Sequence, residues 1–143
     1  MRVVCNSVSE TKNFARSLST KFQSGQVIAL IGNLGSGKTT FTQGFAKGLG
    51  INQHIGSPTF KLVGEYDSPT LKLYHVDCYR LNGAEDFLNL GGENLLLPDD
   101  GVTLIEWANI INEILPKNTI EIFFSRIRNE SNKRKIEIIG VDD

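Results

Sequence analysis

The segment Gly32-Asn33-Leu34-Gly35-Ser36-Gly37-Lys38-Thr39 carries the most chemistry in this chain, because it fits the phosphate-cradling pattern G-x-x-x-x-G-K-[ST]. Each residue type has a physical task there. Glycines let the backbone curl until successive N–H groups point inward, and a helix opening directly afterwards adds a dipole worth roughly half a positive charge at its N-terminus. Lys38 is long enough to reach the outer phosphates of a nucleoside triphosphate, the Thr39 hydroxyl is a hard oxygen donor suited to Mg2+, and Thr40 extends the cradle into the helix. A match arises by chance in about one sequence in a hundred of this composition, so its context decides. The apolar run Val27-Ile28-Ala29-Leu30-Ile31 precedes it, and Phe41, Phe45, Ala46 and Leu49 follow on one helical stripe. That context favours a phosphate site over an ordinary Gly-rich turn. Lys38 is expected to face solvent when no phosphate is bound.

Such a site needs an acidic group from the end of a neighbouring strand. Val102-Thr103-Leu104-Ile105-Glu106 has that form, and ligands of open α/β sheets bind outside the carboxyl ends of the strands. Glu106 is therefore expected beside the loop, holding Mg2+ through water or orienting an attacking water; alone, it would read as a surface residue ending a strand. Tyr74-His75-Val76-Asp77-Cys78-Tyr79-Arg80 offers Asp77 as a second carboxylate. His75 reads as a packed ring with its nitrogens satisfied. Arg80 has the reach to meet a γ-phosphate, although a surface salt bridge is the commoner role for a loop Arg. Ser57-Pro58-Thr59-Phe60 fits either a switch in which Thr59 senses phosphate and metal or a Pro-set turn into a strand. Trp107 stands open between packing and ligand contact.

These side chains must be positioned by a sheet. Residues 3–5 read as a short strand, and Ser7-Val8-Ser9-Glu10 fits a capping box opening a helix with Phe14, Leu18 and Phe22 on one face. Val27–Ile31 reads as a strand buried on both sides, and the helix after the loop ends at Gly50. Residues 60–65 and 71–76 partly alternate around Tyr66-Asp67-Ser68-Pro69-Thr70, which predicts an antiparallel hairpin. A short helix over 85–90 ends at Gly91-Gly92, a strand covers 102–105, and a helix covers 110–115 up to Pro116. Strands at 119–125 and 135–139 flank a polar turn, with the basic cluster Lys133-Arg134-Lys135 read as part of a solvated hairpin turn or, more speculatively, as a patch touching tRNA. The pattern predicts a three-layer α/β fold with a central parallel sheet and antiparallel additions.

With 143 residues the chain is expected to form one domain, residues 1–143. Fifteen Lys and Arg against sixteen Asp and Glu give a net charge of −1, which argues against strong nonspecific attraction to DNA or an anionic membrane. No apolar run approaches the roughly 20 residues that span a bilayer, so a cytoplasmic protein is expected. Cys5 and Cys78 are too far apart in sequence for a local metal-ligand spacing and read as reduced structural thiols.

Taken in order, residues 32–40, then Ser57-Pro58-Thr59-Phe60, then His75-x-Asp77-x-Tyr79-Arg80-Leu81, then Leu104-Ile105-Glu106-Trp107 resemble the TsaE (YjeE) family over residues 7–121. The loop alone is generic; the other three motifs together are specific. The resemblance implies a P-loop fold, Mg2+-dependent ATP binding and hydrolysis, and partnership with the TsaD and TsaB proteins that place threonylcarbamoyl on adenosine in tRNA, with tRNA met indirectly through that complex. By motif position it implies metal-site roles for Thr39 and Glu106 and a functional carboxylate at Asp77. Asn33 and Ser36 stand where the family usually has Asp and Ala, Lys61 where Thr or Ser is usual, and Ala108 where Pro is frequent.

Rival functions meet obstacles in the residues themselves. A GTPase would carry a guanine-reading Asn/Thr-Lys-x-Asp segment, and none occurs. A small-metabolite kinase would need residues 126–135 as an Arg-rich closing lid, too short a stretch between two alternating strands. A nucleotide-responsive binding module with negligible turnover stays open. Arg80 is the one arginine near these motifs in sequence, so slow hydrolysis by the isolated protein is expected.

Overall fold

A computed structural model describes residues 1–33, 35–56 and 62–141. Seven strands form one sheet: β1 (Arg2–Cys5), β2 (Val27–Ile31), β3 (Val63–Tyr66), β4 (Lys72–Asp77), β5 (Gly101–Glu106), β6 (Ile120–Ile127) and β7 (Glu130–Ile139). Their order across the sheet is β1-β7-β6-β2-β5-β4-β3. The centre, β6-β2-β5-β4, is parallel, while β3, β7 and β1 add antiparallel edges. This is the mixed α/β sheet that the interleaved pattern predicts. The central strands β2 and β5 are buried almost throughout, so their apolar runs reflect packing on both faces.

Two apolar clusters mark those faces. On one side Ile28, Leu30, Leu104 and Ile122 pack against Ala15 and Leu18 of helix α1 (Val8–Leu18) and Phe41, Phe45 and Ala46 of helix α2 (Lys38–Gly48). On the other side Val27, Ala29, Val76 and Ile105 meet Phe87 of helix α3 (Ala84–Asn89) and Ala108 and Ile111 of a 3-10 segment, Ala108–Ile114. The three layers follow from this. α1 and α2 approach so closely that a Cβ at Gly44 would overlap the Lys12 backbone, which is why that position carries no side chain.

Local signals map onto the elements with some displacement. Ser7 Oγ accepts from Glu10 N at 3.1 Å, as a capping box requires, but Glu10 Oε1 accepts from Asn6 N rather than completing the reciprocal bond to Ser7. Phe14 is only half-buried, and Phe22 is buried beyond a 3-10 turn, Ser19–Lys21, so the face of α1 pointing inward is Thr11, Ala15 and Leu18. α2 ends as expected: Gly50 N donates to Lys47 O and Ile51 N to Ala46 O, the paired bonds of a Schellman motif. The hairpin over the middle of the chain is present as β3 and β4, with Val63 opposite Val76.

Two expectations are corrected. The helix expected over 110–115 is a 3-10 segment from 108 to 114 with Ile111 outside helical geometry. Lys133-Arg134-Lys135 is not a solvated turn: the turn is Arg128-Asn129, where Asn129 takes a positive φ of 66°, and the basic residues lie in β7. Arg134 pairs with Arg126 and Glu130 with Ile127, so residues 131–133 bulge out between these pairs. Residues 126–135 are thus largely committed to a sheet ladder rather than to a lid.

Candidate functional site

Parallel pairing aligns the carboxyl ends of β2, β4, β5 and β6 along one edge of the sheet. Residues 32–37 leave the end of β2 and turn into α2 through Gly37, whose φ of +109° suits glycine and lets the helix start at Lys38. Within the loop Ser36 N donates to Asn33 O at 3.1 Å. Gly35 and Asn33 are exposed, Gly32 and Gly37 half-buried, and Ser36 buried. Leu34 lies outside the described residues, as do Thr59 and the rest of the 57–60 segment.

Lys38 departs from expectation. Its side chain is 5% exposed, its Nζ donates to Gly32 O, and the ammonium sits 3.7 Å from the centre of the Trp107 ring. Burial lowers its pKa, while the Glu106 and Asp77 charges oppose the shift. The Gly32 carbonyl and the Trp107 indole face are thus the partners of this cation. Trp107 holds a positive φ of 57°, costly for a bulky residue, and stacks obliquely on Tyr79 with ring centres 5.1 Å apart. Its place between packing and ligand contact is therefore beside Lys38.

Glu106 meets the loop as the strand order requires. Thr39 Oγ1 donates to Glu106 Oε1 at 3.3 Å, and His75 Nε2 stands 2.5 Å from Glu106 Oε2. Glu106 is buried, and Cys78 N ties its carbonyl at 3.0 Å. His75 therefore does more than pack. It is fully buried and grips Glu106, and its Nδ1 has no partner among the described residues, against the expectation of a satisfied ring. The signal was present in the sequence: His75 and Asp77 share one face of β4, and Asp77 lies in register with Glu106, but only the β4–β5 pairing brings them together. Asp77 Oδ1 accepts from Tyr79 N at 2.9 Å; burial raises its pKa, with that hydrogen bond opposing. Thr40 is half-buried in the first turn of α2, and Thr42 Oγ1 bonds Lys38 O at 2.9 Å. Arg80 is exposed and forms no ion pair among the described residues.

The arginines closest to the loop were missed by sequence reasoning. Arg134 Nη2 donates to Gly35 O at 3.0 Å, and its stem lies 3.5 Å from the position a Cβ would take at Gly37. Arg126 Nη1 comes within 3.8 Å of a Cβ position at Gly35. Arg134 lies 99 residues from Gly35 in sequence, and strand pairing through β6 makes both arginines neighbours of the loop.

The donor set suits a hard cation. Thr39 and Glu106 present oxygen atoms, and among the described residues no cluster of three or more His, Cys, Asp or Glu could hold a metal alone.

A buried strand, a glycine turn into a helix, and a carboxylate at the end of the adjacent parallel strand define a fold of the P-loop NTPase type. The crystal structure of Bacillus subtilis YdiB superposes with a TM-score of 0.76 at 35% identity, covering 95% of this chain and 82% of that one. The family model described as "Threonylcarbamoyl adenosine biosynthesis protein TsaE" matches residues 5–136, and the chain belongs to that family. The tRNA threonylcarbamoyladenosine biosynthesis protein TsaE of Bacillus subtilis strain 168 is 39% identical over 131 residues, covering 92% of this chain and 81% of that protein. Its counterpart in Rickettsia bellii is 40% identical over 122 residues, covering 85% of this chain and 83% of that protein.

Proposed function

We propose that this TsaE-family protein binds ATP with Mg2+ on the Gly32-to-Thr40 loop and hydrolyses it in support of threonylcarbamoyladenosine formation on tRNA, acting in the cytoplasm with TsaD and TsaB. The observation that carries the reading is the Thr39 hydroxyl beside the Glu106 carboxylate at the start of α2. Mg2+ would supply positive charge where it accumulates between the outer phosphates. Thr39 and Glu106 would hold it in this chain. The His75 contact and the Thr39 bond hold the Glu106 carboxylate from two sides, so it keeps one orientation toward a metal-bound or attacking water. Asp77, beside it in register, adds a second carboxylate to the same edge. Lys38 must exchange Gly32 O and the Trp107 face for phosphate oxygens. The N-terminal end of α2 adds its dipole to the same charges.

The test is calorimetric titration of the wild type and Lys38→Ala with Mg·ATP. The wild type should bind and the variant should lose most of that affinity with its circular dichroism unchanged. Wild-type affinity in Lys38→Ala would sink the proposal. Among the described residues no helix is long and apolar enough to cross a membrane.

A further inference from the structure

The two outer layers of the fold carry opposite charge. Residues 81–116, which form α3, the 3-10 segments Gly92–Leu96 and Ala108–Ile114 and strand β5, hold seven of the sixteen acids and none of the fifteen Lys and Arg. Glu106 is buried in the site. The side chains of Glu85, Glu93 and Glu113, one on each helical piece of this layer, are exposed and make no hydrogen bond or ion pair among the described residues. On the opposite face of the sheet, α1, the 3-10 turn Ser19–Lys21 and α2 expose Lys12, Arg16, Lys21 and Lys47, also without ion pairs among the described residues. The one acid in those three elements is Glu10.

Each layer also exposes apolar side chains. Phe87 and Leu96 of the acidic layer pack into the core, whereas Leu88, Leu90 and Leu97 are 43%, 61% and 73% exposed. A single exposed leucine is ordinary, but three within ten residues, among carboxylates that have no partner, have the make-up of a contact face: apolar anchors inside a polar rim. The basic layer matches it. Val8 is 50% exposed and precedes Lys12 and Arg16 at intervals of four, so the three share one stripe of α1. Lys47 lies on α2 between Gly44 and Gly48, the two glycines that meet the Lys12 and Arg16 backbone.

Chemistry narrows what can cover the acidic layer. Carboxylates repel phosphate backbones and anionic lipid, so neither nucleic acid nor a membrane surface fits it. A metal does not fit either, since among the described residues no group of three or more His, Cys, Asp or Glu could hold one. Its complement is a basic surface with an apolar centre, and this chain carries such a surface on the other side of its own sheet. The two faces cannot meet within one molecule. A neighbour must supply the second half, and a contact between unlike faces is heterologous, leaving one acidic and one basic face free at the ends.

We infer that the α3 layer of one copy docks on the α1–α2 layer of a second copy of this chain, with Leu88, Leu90 and Leu97 gathered around Val8, and Glu85, Glu93 and Glu113 facing Lys12, Arg16, Lys21 and Lys47. None of these residues belongs to the proposed nucleotide site, so the stacking stands apart from that reading. Attraction between exposed charges is screened over about 8 Å at physiological ionic strength. The association is therefore weak and salt-sensitive, with the leucines setting how long it lasts.

Sedimentation velocity over a concentration series, at about 50 mM and about 500 mM salt, tests the inference on the full chain. Wild type should form dimers and larger species at low salt and return to monomer at high salt. An acidic-face variant, Glu85→Gln with Glu93→Gln and Leu97→Ser, and a basic-face variant, Lys12→Gln with Arg16→Gln, should each associate at least about tenfold more weakly alone, with unchanged circular dichroism. Mixed in equal amounts they should form a dimer and nothing larger, because each supplies the face the other lacks; that dimer also reports both folds intact. Leu97→Ser alone and Arg16→Gln alone, both at exposed positions, should give part of the same loss. A wild type that stays monomeric at low salt overturns the inference, as does unchanged association in either combined variant. Loss confined to the acidic-face variant would mean that the α3 layer pairs with itself, and a mixture that stays monomeric would remove the pairing of unlike faces.

Discussion

Glu106 is fixed by Thr39 on one oxygen and His75 on the other, so Glu106→Gln keeps the shape of the contact and removes the charge. Mg·ATP should still bind, while steady-state phosphate release should fall well beyond twofold, and less steeply in Asp77→Asn; turnover within about twofold of wild type, under roughly 0.5 kcal/mol on the transition-state scale, would return Glu106 to a structural role. A second outcome belongs to Cys78, a buried thiol that burial pushes up to about 12. A raised acid pKa means the folded state holds its proton more tightly, so the contribution is complete below the ordinary thiol value near 9 and is lost as pH rises toward 12. Urea midpoints should therefore decline above pH 9 more steeply in wild type than in Cys78→Ala, and parallel declines would remove the thiol from the account. The residue types of the site were legible from the sequence because the loop pattern and the carboxylate at a strand end each have a local signature. His75, Arg126 and Arg134 were not, since their places come from strand pairing, and the expectation of a solvent-facing Lys38 failed because its ammonium is buried against the Gly32 carbonyl and the Trp107 ring, a contact no local pattern signals.

At the scale of elements, the strongly patterned pieces were the legible ones. Val27–Ile31 has the bounds its apolar run indicates, and α2 stops at the expected glycine. Where the sequence predicts a helix over 110–115, the chain forms the 3-10 segment Ala108–Ile114, because Trp107 enters it in a left-handed conformation and Pro116 follows too soon for a full helix to settle. The β7 bulge had no sequence signal, as polar residues around Asn129 read equally as a long turn. Two substitutions probe the α1–α2 layer. Ser7→Ala removes the one side-chain cap seen on α1 and should cost about 1 kcal/mol. Gly44→Leu drives a side chain into the Lys12 backbone and should cost about 3 kcal/mol or more, because backbone cannot step aside as a side chain can. Urea denaturation ranks them; a Gly44→Leu protein no less stable than Ser7→Ala would mean that the helices are not packed this closely.

At the scale of the whole molecule, the cations are arranged in a way that bears on speed. Fast hydrolysis in P-loop proteins depends on a positive charge opposite the γ-phosphate, and supplying such an arginine from a partner raises rates by roughly 10³–10⁵. Here Arg134 is bound to three carbonyls, Arg126 stands on the β6 flank away from Glu106, and Lys38 is held by Gly32 O and Trp107. Arg80 follows Asp77 on the β4 side but is exposed, with no ion pair among the described residues to fix it. Once Lys38 has moved onto the phosphates as proposed, no described arginine is held by an ion pair opposite them, and a charge that is not preorganised stabilises a transition state less. The isolated protein should hydrolyse ATP slowly, and TsaD with TsaB should raise the rate by fixing Arg80 or by providing a cation of their own. Phosphate release measured alone and with saturating partners tests this, and Arg80→Ala separates the two routes: stimulation lost in the variant assigns the cation to this chain, stimulation retained assigns it to the partners. A high rate for the isolated protein with no response to the partners would overturn the expectation and favour an independent ATPase or, if an acceptor becomes phosphorylated, a small-metabolite kinase. Partner binding that depends on ATP and persists unchanged in Glu106→Gln, with negligible release in every mixture, would make the protein a nucleotide-responsive binding module.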